Sequence, residues 1–220
     1  MDWIALRLSL VLALTTSVIL LPIGVSLARV LAYREFRGKS ALEATLALPL
    51  VLPPTVLGFY LLVAMGGASP IGSLYENISG HPLAFSFAGL VVAAVIFNVP
   101  FFLIPMQRSF EAIPLEVRQA AACCGLSRWR TLWRIELPLA WPGLLAGIIM
   151  TVAHTIGEFG VVLMVGGSIP GETKTIAISI YDEVQAFDMN AAALMSAILL
   201  ILSLAALAIT NWLSRRSARV

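Results

Sequence analysis

Five apolar stretches dominate this sequence of 220 residues, at positions 8–28, 42–66, 83–104, 141–165 and 191–212. Each reaches the roughly 20 residues that an α-helix needs to cross a hydrocarbon core of about 30 Å. An isolated strand in lipid would leave its backbone groups unpaired, so helices are required despite the many Val and Ile residues. Only 12% of the chain is charged and 60% is hydrophobic. A soluble domain carries about 25% charged residues to cover its surface, and here that supply is missing. The expected fold class is therefore all-α, a polytopic transmembrane helical bundle, with residues 1–220 forming a single domain in the lipid bilayer and no room for an added soluble domain. The first apolar run continues well past a short signal-peptide core and ends in arginines, so it reads as a retained span.

Charge orients these spans. Arg29, Arg34, Arg37 and Lys39 follow the first; Arg108, Arg118, Arg128, Arg130 and Arg134 follow the third; Arg215, Arg216 and Arg219 follow the fifth. Only Arg7 and Lys174 fall on the other side. The positive-inside rule then places the N-terminus outside and the C-terminus in the cytoplasm. The outer segment 66–82 is short and glycine-rich, whereas 166–190 carries Glu172, Asp182, Glu183 and Asp188, and a re-entrant or interfacial piece could sit at 169–180.

Several chemistries are excluded. Cys123 and Cys124 are adjacent, which suits neither a disulfide framework nor a tetrahedral metal site. No glycine-rich loop ends in Lys-Ser or Lys-Thr, so ATP is not expected to bind this chain. The basic residues follow the membrane edges, a topological pattern rather than a nucleic-acid surface.

The cytoplasmic stretch 107–140 differs from the rest. Pro114 suits the first turn of a helix, Leu115 to Cys124 is alanine-rich, and Gly125 is a C-cap glycine. Ser127 can cap a second short helix in which Arg128, Arg130 and Arg134 interleave with Trp129, Leu132, Trp133 and Ile135. Pro138 is expected to stop that helix before the fourth span. The residues alone leave three roles open for this stretch: lying on the membrane surface with arginines at headgroups and tryptophans in the interface, docking a cytoplasmic partner, or anchoring topology. Within the spans, Pro53-Pro54 must disrupt a helix, and freed carbonyls in lipid are tolerated only when buried or lining water. Glu158 is the one acidic residue expected well inside a span, Glu43 lying at the very edge of the second; His154 lies one turn earlier on the same face, and a structural or gate-supporting role fits better than binding an anion. Asn98 reads as a helix–helix hydrogen bonder, and Gly143, Gly147 and Ala153 as sites of close helix contact.

Gln119-Ala120-Ala121, then Gly125, then Ile135 and Leu137-Pro138 resembles the coupling motif of the permease subunits of ABC importers. Leu48-Pro49-Leu50-Val51-Leu52-Pro53-Pro54-Thr55-Val56-Leu57-Gly58 and Gly157-Glu158-Phe159-Gly160 followed by Gly166-Gly167-Ser168-Ile169-Pro170-Gly171 resemble the molybdate branch of that family and, less closely, the sulfate branch. The resemblance implies an ABC importer type I permease fold in a bacterial inner membrane, translocating molybdate. It implies Glu116, Gln119, Ala120, Ala121, Gly125, Ile135, Leu137 and Pro138 as the ATPase-coupling loop, with Gln119 where the family usually has Glu. Pro53, Pro54, Thr55, Gly58, His154, Gly157, Glu158 and Gly160 are the candidate pathway, gate or structural residues. The partners implied are a second copy of the chain, two cytoplasmic ATP-binding subunits and an extracytoplasmic molybdate-binding protein. ATP and Mg would be held by the ATPase, so no cofactor and no metal is expected here. Sulfate or tungstate import, an ion-coupled secondary transporter and a membrane scaffold are the alternatives.

Overall fold

The computed structural model describes the backbone of residues 1–217 and side chains through residue 209; Arg219 lies outside the described residues, and nothing follows for the side chains of Trp212, Arg215 and Arg216. Helix α1 (Trp3–Tyr33) opens at Asp2, whose carboxylate accepts the Ala5 N–H at 2.9 Å and satisfies one of the free donors of the first turn. Helices α2 (Lys39–Val51) and α3 (Pro54–Met65) follow, then α4 (Pro70–Ser79) and α5 (Phe87–Glu111). The 107–140 stretch contributes α6 (Leu115–Cys123) and α7 (Arg128–Thr131), and α8 (Leu137–Gly157), α9 (Gly160–Gly166), α10 (Ile176–Gln185) and α11 (Met189–Ser217) complete the chain.

Four long apolar rods stand out among the described residues: α1, α5, the run Arg128–Gly157, and α11 through Ile209. The second expected span is instead a pair, α2 and α3, bent by 111° at Leu52–Pro53. Leu52 is extended, as a residue before proline must be, and Pro54 opens α3 at its first turn, where a missing N–H costs nothing. The fourth, expected as one stretch over 141–165, breaks at Glu158–Phe159, and α9 starts afresh after it.

One expectation is overturned. Pro138 does not stop the helix that begins at Arg128; it lies within a 30-residue rod. A π turn over Leu132–Glu136 precedes it, and the Leu137 N–H reaches back to the Leu132 carbonyl. The widened turn absorbs the hydrogen bond that proline cannot make.

Contacts between helix ends reveal the sense of each rod. At one end, Ser9 Oγ accepts the Ile176 N–H at 2.9 Å, Ser179 Oγ donates to Asp2 at 3.2 Å, and the Phe85 N–H donates to the Val165 carbonyl at 2.9 Å. At the other, Tyr33 Oη donates to the Phe110 carbonyl at 3.0 Å and Arg29 pairs with Glu136. Thus α1 and α5 run the same way, and the bent pair between them carries the chain back. The segment 169–180 forms no rod; its α10 part buries Ile176, Ile178 and Ser179 against the bundle.

α5 is the central post, packed between α1 and α8. Around its lower half, Phe102, Leu103, Met106 and Phe110 cluster with Leu20 and Leu31 of α1; around its upper half, Leu90 and Phe97 cluster with Leu12 of α1 and Val162 of α9. Asn98 is fully buried and joins α5 to α8 by donating to Thr155 Oγ1 at 2.9 Å. Lipid tails offer no hydrophobic drive between helices, so close packing at small residues must hold them together. A Cβ at Gly143 would lie 2.3 Å from Ser109 Oγ and 2.5 Å from the Pro105 carbonyl oxygen. Gly143 and Gly147 therefore serve contacts within this chain, whereas Ala153 lines an apolar groove with Ile149, Val152 and Leu202.

Gly143→Val should lower the thermal midpoint of the detergent-solubilised protein, because overpacking costs about 1–3 kcal/mol. Gly157→Ala, where a Cβ meets nothing within 4 Å, should leave it within error.

Candidate functional site

Of the two groups of residues singled out from the sequence, one lies at an end of the bundle and the other near its middle, where His154 meets Asn98 and Phe101 halfway along α5. The first is the 107–140 stretch. Pro114 is the N-cap of α6, one position earlier than its expected place. The helix closes with a Schellman motif: the Gly125 N–H donates to Ala122 at 3.0 Å and the Leu126 N–H to Ala121 at 3.1 Å. Gly125 has φ +74°, and a Cβ there would meet nothing within 4 Å, so backbone conformation alone demands glycine. Ser127 caps α7 by accepting the Arg130 N–H at 3.3 Å.

α6 turns one side inward. Ala121 is buried and Val117 packs against the cluster of Phe110, Ile113 and Leu132. Glu116, Gln119, Ala120 and both cysteines face out, as does Leu115 at the start of the helix, so beyond that leucine the exposed residues are polar or small. Of the second part of the motif, Leu137 packs into the same cluster, Ile135 is half-buried and Pro138 is exposed.

Sequence reasoning missed the residue that ties this stretch together. Glu136 is 1% exposed. Arg29 Nε donates to its Oε2, and Arg29 Nη2 donates to its Oε1 at 3.2 Å. Arg118 Nε lies 3.7 Å from the same Oε1, and its guanidinium sits 3.5 Å above the Tyr33 ring. One carboxylate thus joins α1, α6 and the π turn entering α8. The available signal was a lone acid in the run from Arg128 to Leu137, but nothing local names a partner 107 residues away.

The second group gathers where both broken helices meet. A Cβ at Gly58 would come within 2.8 Å of Met164 Cβ, and one at Gly160 within 2.8 Å of Pro54 Cβ. These two glycines let α3 cross α9 at close range, placing the break at Leu52–Pro53 beside the break at Glu158–Phe159. Pro53, Pro54 and Thr55 are exposed at this crossing. Glu158 is buried, and its Oε1 accepts the Val161 N–H at 2.9 Å, which caps α9. His154 stacks on Phe101 at 3.8 Å, and its Nδ1 lies 3.2 Å from Asn98 Oδ1. His154 Nε2 stands 3.8 Å from Glu158 Oε2, beyond hydrogen-bond reach. The carboxylate is thus spent on backbone and shielded by an imidazole, an arrangement suited to holding a helix break. Gly157 is exposed beside it.

Comparison with known proteins supplies the context. The family model described as binding-protein-dependent transport system inner membrane component matches residues 5–219. The chain is 49% identical over 187 residues to the molybdenum transport system permease protein ModB of Azotobacter vinelandii, covering 85% of this chain and 83% of that protein. The protein of the same name from Escherichia coli K12 is 36% identical over 217 residues, covering 98% and 95%. A probable sulfate transport system permease protein, cysT of Chlorokybus atmophyticus, is 33% identical over 82% of this chain and 63% of that protein. Among solved structures, a chain of a bacterial ABC transporter for the acidic polysaccharide alginate superposes with a TM-score of 0.71 at 16% identity, covering 99% of this chain and 79% of that one. At that identity the likeness concerns the fold alone.

Glu136→Ala should cost about 2–3 kcal/mol, since it strands Arg29 beside a buried site; thermal unfolding in detergent reads this loss. Gly125→Ala should cost about 1 kcal/mol through its positive φ, without a packing defect, and Gly125→Val should cost somewhat more for the same backbone reason.

Proposed function

The chain belongs to the binding-protein-dependent transport system inner membrane components, and from that membership we propose that it translocates molybdate. It is a membrane permease subunit of an ABC importer and is not itself catalytic; hydrolysis resides on a separate ATPase subunit in this family. The observation that carries the substrate is the set of molybdenum transport permeases that align with nearly its whole length, one at 49% identity.

In this reading the membrane is crossed five times, by α1, the α2–α3 pair, α5, the Arg128–Gly157 rod and α11. The N-terminus is outside, because the basic residues gather at the other end of the bundle. Two copies of the chain enclose the path. The exposed side of α6, from Glu116 to Gly125, enters a cleft on each of two ATP-binding subunits, which hold the ATP and Mg. The residues 66–82 and 166–190 receive the external molybdate-binding protein. Closure of the ATPases would move the α6 helices together, and the node at Glu136 would carry that movement into α1 and α8. The crossing of the broken helices, with Pro53, Pro54, Thr55, Gly58, His154, Gly157, Glu158 and Gly160, is the candidate gate. Broken membrane helices are common beside transport routes, where their loosened backbone faces protein or water.

Sulfate is the second reading, favoured by the 33% identity to a probable sulfate permease; tungstate is a third oxyanion of the same shape and charge. Reconstitution with the ATPase and the binding protein should show hydrolysis and uptake stimulated by molybdate and tungstate, and far less by sulfate. Stimulation by sulfate alone would transfer the chain to the sulfate branch, and stimulation by none of the three would overturn the oxyanion assignment.

A further inference from the structure

At the end of α1 that carries its basic residues, Arg29, Val30, Tyr33, Arg34, Arg118 and Arg128 line an open cavity of about 290 Å³. Four arginines line this space, brought together from α1, the residue that follows it, α6 and α7. Like charges gathered so closely repel one another unless negative charge enters. The chain supplies one carboxylate, Glu136, which engages Arg29 and Arg118. Among the described residues, Arg34 and Arg128 make no side-chain hydrogen bond or ion pair. Three of the four positive charges are therefore left without a counter-charge.

The geometry is also preset. Glu136 occupies Arg29 Nε and Nη2 and lies on the Nε side of Arg118, while the Tyr33 ring supports the Arg118 guanidinium at 3.5 Å. The two terminal nitrogens of Arg118 and Nη1 of Arg29 keep their donors. Paired guanidinium donors match the oxygens of a phosphate, and side chains already held in place lose little entropy on binding it.

The surroundings indicate the depth of the site. Arg34 is the residue at which the 31-residue rod of α1 ends. Next to Arg128, Trp129 and Trp133 are 67% and 55% exposed and stand edge to face, with ring centroids 5.7 Å apart. Exposed indole rings at the end of an apolar rod belong at the headgroup level of a bilayer. We propose that this cavity binds a phosphate group, supplied by the headgroup of an acidic phospholipid. The site is separate from the transported anion and does not depend on which oxyanion the importer carries.

The test uses the permease assembled with its ATPase in nanodiscs of phosphatidylcholine, with phosphatidylglycerol added in steps, and reads thermal unfolding. Arg34→Gln/Arg128→Gln is compared with Arg37→Gln, an exposed arginine nearby that does not line the cavity. Phosphatidylglycerol should raise the midpoint of the natural protein and of R37Q by about 2–4 °C and leave the double variant unmoved. A parallel arm adds inorganic phosphate in pure phosphatidylcholine. A shift there that the double variant loses would support the phosphate site with a dissolved anion as its source. Equal responses of the double variant and the natural protein to both additions would overturn the proposal. Loss of the ATPase from the double variant, with its lipid response intact, would overturn it in favour of a protein-docking surface. If the double variant does not assemble, R34Q and R128Q singly carry the same comparison.

Discussion

Glu136 is the most deeply buried carboxylate among the described residues, where Glu158 is the other buried acid. Burying it is costly unless its oxygens are paired, and they are paired by arginines from two other segments. That requirement does more than stabilise one turn. It fixes the end of α1 beside the stretch that follows α5, so the two rods must run the same way. The pair α2–α3 must then return the chain, although neither of its helices is long enough alone. Topology, the placement of α6 and the shape of the arginine-lined cavity all follow from one ion cluster.

The bend and the breaks obey a second constraint, the need to satisfy backbone groups where water is scarce. At Leu52–Pro53 the chain meets it by starting a new helix on a proline, which has no N–H to lose. At Glu158 it meets it with a side chain, which accepts an N–H of α9. The two solutions sit side by side because Gly58 and Gly160 allow it. Just beyond this close crossing, the Asn98–Thr155 bond ties α5 to α8.

Much of this was legible in the residues. Long apolar runs specified helices in lipid, the arginine distribution separated the two ends, and Pro114, Gly125 and Ser127 marked the borders of α6 and α7 within a residue. Gly125 was readable because its role is local: a positive φ at the end of a short helix. The cluster at Glu136 was not, because its meaning lies in partners that only folding brings near. Pro138 misled for a related reason. Its power to end a helix depends on the preceding turn being an α turn, and here that turn is wider.

The wider turn has a geometric consequence. In an ordinary helix each residue advances the angular position by about 100°, so one residue inserted by a π turn rotates everything after it relative to everything before. The face of the Arg128–Gly157 rod that presents Trp129 and Trp133 is therefore out of phase with the face that presents Gly143 and Gly147 to α5. A uniform rod would have to choose between suiting its outer turn to the surface and its inner turns to the central post. By slipping phase at Glu136, the rod meets both demands, and the residue at the slip is the same one that anchors its neighbours.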